Sequence, residues 1–355
     1  MDLAEIIRHF KVDVEIEPYG NGHINDTYIA QGDPKTILQR INSDVFKNPE
    51  QVMENILGVT EHLKKKIIQN GGNPARETLS VIKTIDDKSY YKADDKNYFR
   101  MYGFIENAVS YDMVENPKQL YEAAKAFGRF QNMLADYPAD KLYETIPDFH
   151  NTKKRYADFE QAVSDNKANR LAEVEKEIEF VRTRKSDAGV IVDAIADESV
   201  PVRVTHNDTK LNNVMLDDVT GEGICVIDLD TVMPGSLLYD YGDALRFGAS
   251  SGAEDEVDLD KFWFDLELFE AFTKGFLSEV GSVLTPREIE LLPFSAKLMT
   301  YECGMRFLGD YLNGDTYFKI HREKHNLDRA RTQFKLVEDI ERKMPELLKI
   351  VKTYV

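Results

Sequence analysis

The sequence predicts an α+β protein with two lobes, a small β-rich N-terminal lobe over residues 1–106 and a larger, mostly helical C-terminal lobe over residues 107–355. Three observations lead to this prediction. The chain has 355 residues, which is more than one ordinary domain contains. Short runs of alternating apolar and polar residues, typical of strands, fill the first part of the chain. After residue 107, apolar residues recur at helical spacing over long segments.

A helix and several short strands make up the predicted N-terminal lobe. Apolar residues at helical spacing begin the chain, and an alternating run follows at residues 12–16. Gly20, Asn21 and Gly22 then form a turn between two strand-like runs. An Asn-Gly pair is first of all a hairpin turn, but two close glycines also let backbone N–H groups approach a phosphate. We therefore take these three residues as candidate phosphate-binding positions.

Helices dominate the predicted C-terminal lobe. Segments with apolar residues at helical spacing lie at residues 117–134, 152–168, 171–186 and 328–351. Between them, a turn at residues 220–223 predicts a hairpin. Asp240 is placed to cap the helix that begins beside it, and Thr285 with Glu288 forms a capping box for another helix. The helices therefore surround an irregular central segment.

That central segment carries the chemistry. His206, Asp208 and Asn213 follow the spacing His-x-Asp-x-x-x-x-Asn, and Asp228 closes an apolar run. Asp and Asn in loops are usually turn formers, but four matched positions favour a chemical role. In phosphoryl transfer a carboxylate accepts the proton of the attacking hydroxyl, while an amide and a second carboxylate hold Mg²⁺ on the nucleotide phosphates. This is the pattern of the protein-kinase-like fold, so Asp208 is the candidate base, Asn213 and Asp228 are the candidate metal ligands, and ATP with Mg²⁺ is the expected cofactor.

A lobe of this kind also needs a cation for the α- and β-phosphates, paired with a Glu on the following helix. Arg40, on a predicted strand, is the candidate cation. Glu54 is its candidate partner, with Glu61 as the alternative, although an exposed strand Arg and a solvated helix Glu fit the pattern nearly as well. Phe104 and Glu106 lie where the chain passes between the lobes and where an adenine ring would meet the backbone.

The catalytic loop, the run Ile-Asp-Leu-Asp at residues 227–230 and the run Tyr-Asp-Tyr-Gly-Asp-Ala-Leu-Arg at residues 239–246 resemble the aminoglycoside phosphotransferase and choline kinase family. The run Asp-Leu-Asp-Thr-Val-Met-Pro-Gly at residues 228–235 resembles, more narrowly, members that phosphorylate N-acetylhexosamines. The resemblance implies MgATP-dependent phosphorylation of the anomeric hydroxyl of such a sugar. It also implies a set of acceptor-binding positions: Ile24, Asp208, Asp230, Thr231, Phe247, Arg306 and Tyr317.

Composition limits the partners. The net charge of −18 argues against nucleic acid and anionic membranes, although a local cationic cluster can still bind ATP. No run approaches the roughly 18 apolar residues of a membrane span, and the N-terminus reads as an amphipathic helix rather than a signal peptide. The two cysteines, Cys225 and Cys303, form neither a disulfide framework nor a zinc cluster. We expect a cytoplasmic protein that binds ATP and a small acceptor, with no protein partner implied.

Other functions remain open at this point. A kinase of the same fold with a cationic acceptor, such as choline or an aminoglycoside, would need acids near Asp208, and Asp228, Asp230, Asp240 and Asp243 keep that open. A kinase of the same fold for another sugar is a further alternative. A non-catalytic nucleotide-binding module typically loses the base or a metal ligand, and this chain retains all three. A metal-dependent hydrolase would need His and Asp ligand sets that are missing here.

Overall fold

The computed structural model describes residues 2–20 and 24–355, and its N-terminal part is built on one antiparallel sheet. The strands of this sheet are β1 (Ile16–Pro18), β2 (Asp26–Ala30), β3 (Thr36–Asn42), β4 (Val81–Ile82), β5 (Tyr91–Lys92) and β6 (Asn97–Gly103). They lie in the order β1-β2-β3-β6-β4, and β5 also pairs with β6. Three helices accompany the sheet: α1 (Leu3–Arg8), α2 (Pro49–Gln69) and α3 (Pro74–Glu77).

The two faces of the sheet have different neighbours. Leu38 and Met101 are register partners on the outer face, where they pack against Ile7 of α1. Gln39 and Arg100 are register partners on the opposite, inner face, because successive side chains of a strand alternate between faces. The inner face therefore carries the polar pair Gln39 and Arg100, and the outer face carries the apolar pair Leu38 and Met101.

The C-terminal part is mainly helical. Its helices are α4 (Pro117–Met133), α5 (Thr152–Asp165), α6 (Glu175–Thr183), α7 (Val190–Ala196), α8 (Leu237–Gly248), α9 (Leu266–Val280), α10 (Pro286–Asn313) and α11 (His325–Tyr354). Its strands are β7 (Ala108–Val109), β8 (Arg203–Thr205), β9 (Val214–Asp217), β10 (Gly223–Val226) and β11 (Met233–Gly235). They form two small sheets, β10-β9-β7 and β11-β8. Among the described residues, no helix is both long and apolar enough to cross a membrane.

The buried helix α10 organises the C-terminal core. The predicted capping box begins it: the Thr285 hydroxyl accepts from the Glu288 N–H, and the Glu288 carboxylate accepts from the Thr285 N–H. Gly242 lets α8 approach closely, because a Cβ at this position would lie 2.4 Å from the Ser295 carbonyl oxygen of α10. A side chain at residue 242 would therefore push apart the two helices that carry several of the site residues.

The predicted fold class is confirmed, with a β-sheet N-terminal region followed by a larger helical part. Two predicted elements differ in extent. The alternating run at residues 12–16 contributes only Ile16 to a strand, because β1 pairs with residues 28–30 of β2. The predicted helix at residues 171–186 is shorter: α6 covers Glu175–Thr183, and short 3-10 helices lie before and after it.

Candidate active site

The loop between β8 and β9 brings Asp208 and Asn213 together. The Asn213 side-chain nitrogen donates to the Asp208 carbonyl oxygen at 2.8 Å and lies 3.3 Å from the carboxylate Oδ2. The other carboxylate oxygen lies 2.8 Å from Lys210 Nζ. Burial by itself would raise the pKa of Asp208, but Lys210 outweighs it, so the pKa lies below its ordinary value. Asp208 is therefore ionised at neutral pH and can accept a hydrogen bond from a hydroxyl.

His206 is a structural part of this loop. Its Nε2 lies 2.9 Å from the Ile227 carbonyl oxygen, and its Nδ1 accepts from the Asp208 N–H at 3.3 Å. A carbonyl oxygen only accepts and a backbone N–H only donates, so the neutral tautomer with a proton on Nε2 satisfies both contacts. The ring is buried beside Phe127 and Phe130. The His206 ring therefore connects the catalytic loop to Ile227, the residue before Asp228.

Asp240 differs from its predicted role as a helix cap. Ser236 caps α8, and Asp240 lies one turn inside the helix. Its carboxylate accepts from the backbone N–H groups of His206 at 2.9 Å and Asn207 at 2.7 Å, and from the Gln131 amide. Burial raises the pKa of Asp240, and these donors oppose the rise. A carboxylate reaching across to a loop is not visible in local sequence spacing, and its function here is to hold the catalytic loop.

A second buried group supports the same loop from α10. His150 Nε2 lies 3.1 Å from the Asn207 carbonyl oxygen, and His150 Nδ1 lies 2.8 Å from the Glu302 carboxylate. The Thr152 hydroxyl donates to the other Glu302 oxygen at 2.6 Å. Burial alone would raise the pKa of Glu302, but His150 and Thr152 hold it below its ordinary value. Nothing in the sequence near residues 150 or 302 indicates this contact.

Asp228 lies just after β10 in a left-handed backbone conformation, with φ 57° and ψ 60°. Asp228 is exposed to solvent, and neighbouring protein atoms partly desolvate its carboxylate. Burial, with the negative charges of Asp230 and Asp208, raises the pKa of Asp228 to about 6. The backbone joins it to the catalytic loop, since the Ile227 N–H donates to the Asn213 carbonyl oxygen at 2.9 Å.

The residues present fit a magnesium ion. The amide nitrogen of Asn213 is bonded to Asp208, which leaves the side-chain oxygen available, and the Asp228 carboxylate makes no hydrogen bond with the described residues. Oxygen ligands of this kind suit Mg²⁺, which usually takes one or two carboxylates together with water and phosphate oxygens. The described residues contain no cluster of three or more His, Cys, Asp or Glu side chains that could hold a metal ion by themselves.

Asp230 and Thr231, expected to face the acceptor, are bonded to protein. Asp230 is buried and accepts from the Arg100 guanidinium and, at 2.6 Å, from the Asn25 amide. The Thr231 hydroxyl donates to the His206 carbonyl oxygen at 2.6 Å. In this structure both side chains therefore hold the site together rather than present free polar atoms.

The predicted pair of Arg40 and Glu54 is not what the structure shows. Arg40 lies on the outer face of the sheet, where its Nε donates to Asp26 at 2.7 Å and its side chain is 44% exposed. Glu54 is exposed on α2 and lies beside Tyr143, whose pKa it raises. The cation on the inner face is Arg100, one register position away on β6. Strand alternation predicts two faces but not which face meets the C-terminal part.

α2 nevertheless contacts the site through a residue that sequence analysis missed. The Asn55 amide donates to the carbonyl oxygens of Val232 at 3.0 Å and Tyr143 at 2.8 Å, and its own oxygen accepts from the Tyr143 N–H. The available signal is an Asn on the apolar face of a helix, between the buried residues Val52 and Val59. Arg100 had the same kind of signal, a charged residue within a run of buried residues on β6.

The candidate nucleotide-binding residues follow two strands of the sheet, β1 and β6. Gly20 has a positive φ of 72°, which supports a tight turn, and Asn21 and Gly22 lie outside the described residues. Phe104 is half-buried, with Tyr19 edge-on to its ring at 6.0 Å. Glu106 is exposed, and its backbone carbonyl accepts from Arg76 at 3.3 Å.

The candidate acceptor residues form two groups. Arg306 is half-buried on α10 and makes no ion pair with the described residues. Its guanidinium carbon lies between 5.5 and 5.8 Å from the centroids of three aromatic rings, those of Phe149, Tyr317 and Phe318. Phe247 lies beneath two cations, with Arg246 at 3.8 Å and Lys210 at 5.5 Å. Lys210 in turn binds Asp208, which connects this group to the catalytic loop. Ile24 is exposed, and its carbonyl oxygen accepts from the Asn42 amide at 3.1 Å.

Comparison with known proteins shows which proteins this chain is similar to in sequence and in fold. A family model described as "Phosphotransferase enzyme family" matches residues 15–272, more than half of the chain. An aminoglycoside phosphotransferase from Alicyclobacillus acidocaldarius is 11% identical with a TM-score of 0.66, covering 98% of this chain and 96% of that one. An amicoumacin kinase in complex with AMP-PNP and Ca²⁺ is 14% identical with a TM-score of 0.56, covering 92% and 88%. A choline kinase from Cryptosporidium parvum is 13% identical with a TM-score of 0.53, covering 95% and 90%.

Proposed function

This chain belongs to the phosphotransferase enzyme family, and within it we propose that the chain is an N-acetylhexosamine 1-kinase. The proposed reaction transfers the γ-phosphoryl group of MgATP to the anomeric hydroxyl of N-acetylglucosamine or N-acetylgalactosamine, with ADP as the leaving group, and yields the sugar 1-phosphate. The observation that carries the phosphoryl-transfer part is the arrangement of Asp208, Asn213 and Asp228, an ionised carboxylate beside two oxygen donors that fit Mg²⁺.

In this proposal Asp208 orients the anomeric hydroxyl and accepts its proton as the phosphorus–oxygen bond forms. Anomeric hydroxyls are more acidic than ordinary alcohols, so a carboxylate with a low pKa is a sufficient acceptor. Asn213 and Asp228 would hold Mg²⁺, which when bound neutralises charge on the phosphates. Lys210 keeps Asp208 ionised, and the bonds from Asp240 and His150 keep the loop in place before substrate arrives. Most of the rate then comes from positioning and charge neutralisation.

A neutral acceptor is favoured by how the acids near Asp208 are used. Asp230 is bonded to Arg100, Asp240 to the catalytic loop, and Asp243 to Arg246 and the Thr209 N–H. These three carboxylates are therefore not free to bind a cationic acceptor such as choline or an aminoglycoside.

The Arg306 group supports the same conclusion. It offers aromatic ring faces and a guanidinium without an ion pair among the described residues, which suit the apolar face and the acetamido oxygen of a sugar. The neighbouring Arg155 adds a second positive charge: burial lowers the pKa of Arg155, and Arg306 lowers it further. Two adjacent guanidinium groups repel a cationic acceptor. Arg306, Tyr317, Phe247 and Ile24 are the proposed acceptor-binding residues.

The nucleotide would lie against the edge of the N-terminal sheet. The turn at Gly20, Asn21 and Gly22 is proposed to approach the phosphates, and the segment of Phe104 and Glu106 to meet the adenine. We place the lobe boundary after residue 106, because β6 ends the N-terminal sheet at Gly103 and β7 at Ala108 already pairs with β9. The two cysteines are buried and unpaired, which supports a cytoplasmic location.

The test is phosphoryl transfer from MgATP to N-acetylglucosamine, N-acetylgalactosamine, galactose, choline and kanamycin, with products identified by ³¹P NMR. We expect an anomeric phosphate from the N-acetyl sugars, absent with the Asp208→Asn variant. Transfer to choline or kanamycin instead would keep the mechanism and replace the acceptor. Binding of MgATP without transfer to any of the five would contradict the proposed acceptor and favour a non-catalytic nucleotide-binding module.

A further inference from the structure

Arg100 is a buried cation that joins the N-terminal sheet to the acidic segment of the candidate active site. Its side chain is 1% exposed. Its Nε and one terminal nitrogen both donate to Gln39 Oε1, at 3.0 and 2.8 Å, which directs the other terminal nitrogen to Asp230. The Gln39 amide nitrogen is itself bonded to Thr27 Oγ1 at 3.0 Å. Strands β2, β3 and β6 together therefore orient the guanidinium before it meets Asp230.

Asn25 completes the contact from a second direction. Its amide nitrogen donates to the other Asp230 oxygen at 2.6 Å, and its amide oxygen accepts from the Asn42 N–H at 3.0 Å. Both oxygens of Asp230 are thus bonded by residues of the N-terminal part, although Asp230 belongs to the C-terminal part. A buried carboxylate is stable only when it is paired and hydrogen-bonded, and Arg100 supplies the compensating charge.

The location gives this pair a consequence for phosphoryl transfer. Asp230 lies two residues after the proposed metal ligand Asp228. The negative charges of Asp230 and Asp208 are both close enough to Asp228 to raise its pKa. An unpaired Asp230 would add a third negative charge where nucleotide phosphates have to approach. Like charges brought together in a partly buried site repel strongly, so neutralisation of Asp230 matters for binding of an anion.

We propose that Arg100 is a positioning residue of the phosphoryl-transfer site, which neutralises Asp230 and ties it to the sheet so that Asp228 remains the free carboxylate for Mg²⁺. Arg100 takes the place that sequence analysis assigned to Arg40, but it acts through Asp230 rather than on the reacting atoms. The inference rests on the proposed function only in taking MgATP as the ligand, and it is independent of the identity of the acceptor.

The experiment measures MgATP affinity by isothermal titration calorimetry without acceptor, and thermal unfolding in parallel. The variants are Arg100→Met, Arg100→Lys and the double variant Arg100→Met/Asp230→Asn. Arg184→Met is the matched control, since Arg184 makes a two-bond ion pair with Glu341 at 2.9 and 2.8 Å and bonds no site residue. Removing one partner of a buried pair leaves the other charge uncompensated, so we expect Arg100→Met to weaken MgATP binding about tenfold or more.

Two further results make the test specific to charge neutralisation. The double variant also removes the Asp230 charge that Arg100→Met leaves unpaired, so its MgATP affinity should return to within about threefold of that of the unaltered protein. The affinity of Arg100→Lys should lie between those of the single and double variants. Arg184→Met should change thermal stability but not MgATP affinity. If Arg100→Met does not fold, Arg100→Lys and the double variant still give the comparison.

Two outcomes would overturn the proposal. One is an Arg100→Met variant with unchanged MgATP affinity, and the other is a double variant as weak as the single. Because no acceptor is present, failure of the unaltered protein to phosphorylate N-acetyl sugars would count against the proposed acceptor and leave this result standing.

Discussion

The catalytic loop and the inner face of the N-terminal sheet supply charged groups to the same site, but they do so in different ways. Asp208 and Asn213 lie five residues apart and meet through local backbone geometry. Gln39 and Arg100 are 61 residues apart and meet only because β3 and β6 pair in one register. Site residues that lie in one loop can therefore be predicted from their spacing in the sequence. Site residues that a sheet brings together cannot, because their contact depends on how distant strands pair. The predictions below test how far the two regions differ.

Loss of the proposed base should give the largest effect. Asp208→Asn keeps the shape of the side chain and removes the proton acceptor, so we expect kcat to fall by about 10³-fold, within the range that general base catalysis contributes. MgATP affinity should change little, because the proposed metal ligands are Asn213 and Asp228 and not Asp208. Steady-state kinetics and calorimetry on the same preparation check both. Loss of nucleotide binding together with activity would mean that the change damages the loop itself.

Asp228→Ala should have the next largest effect on activity. It distinguishes the role of a metal ligand from that of the base. The carboxylate makes no hydrogen bond with the described residues, but Ala adopts the left-handed backbone conformation of residue 228 less readily than Asp, so thermal unfolding is measured in parallel. We expect activity to fall by about 10²-fold or more, together with loss of the dependence on magnesium concentration. Titrating Mg²⁺ at fixed ATP measures this. An active variant with an ordinary magnesium response would remove Asp228 from the metal site.

The same contrast explains what could be predicted from the sequence. The fold class, the capping box of α10 and the proximity of Asp208 to Asn213 follow from periodicity and spacing, and the structure contains them. The expected role of Asp240 does not hold, because its carboxylate bonds the catalytic loop more than 30 residues away. Arg40 does not pair with Glu54, because it lies on the outer face of the sheet and bonds Asp26. Buried polar residues within apolar runs, such as Arg100 and Asn55, were the usable signal. The roles of the candidate residues in catalysis stay predictions.

Support for the catalytic loop from α10 should have an intermediate effect. Glu302→Gln removes the charge beside His150 and should cost about 2 kcal/mol of unfolding free energy at pH 7, the range for a buried hydrogen bond to a charged group. It should also lower kcat, since His150 contacts the Asn207 carbonyl oxygen. Glu341→Gln is the matched control, because Glu341 pairs with Arg184 and Lys297 and not with the loop. It should lower stability and leave kcat unchanged.

The pH dependence of Glu302→Gln has a definite sign. The pKa of Glu302 is below its ordinary value in the folded protein, so its contribution to stability is complete above the unfolded pKa of about 4.3 and is lost as the pH falls through the folded pKa. The difference in Tm between the unaltered protein and the variant should therefore be largest near pH 7 and narrow below about pH 4. A difference that grows on acidification would show that Glu302 is not ionised in the folded protein.

Asn55→Ala tests the attachment of α2 to the segment after Asp230. The variant leaves the Tyr143 and Val232 backbone groups without their partner, which should cost about 1–3 kcal/mol. Asn132→Ala is the control: it removes one bond, from the exposed Asn132 amide to the Glu279 carbonyl oxygen at 2.7 Å, between helices of the C-terminal part, and should cost less stability than Asn55→Ala. Chemical denaturation compares the two. Only Asn55→Ala should also raise the KM for ATP, and equal KM values in both variants would contradict a role for α2 at the site.

The smallest effect should come from Arg40→Met, and it closes the comparison between the two arginines of the sheet. Arg40 and Asp26 are both substantially exposed, with 44% and 48% of their side-chain surfaces accessible. Exposed ion pairs contribute about 0–1 kcal/mol, so stability and MgATP affinity should stay close to those of the unaltered protein. Arg100 lies on the opposite face of the sheet, where burial and the bond to Asp230 give its charge a role. If Arg40→Met instead weakened MgATP binding as strongly as Arg100→Met, the cation would be supplied from the outer face, and the spacing argument that selected Arg40 would be the better guide to this sheet.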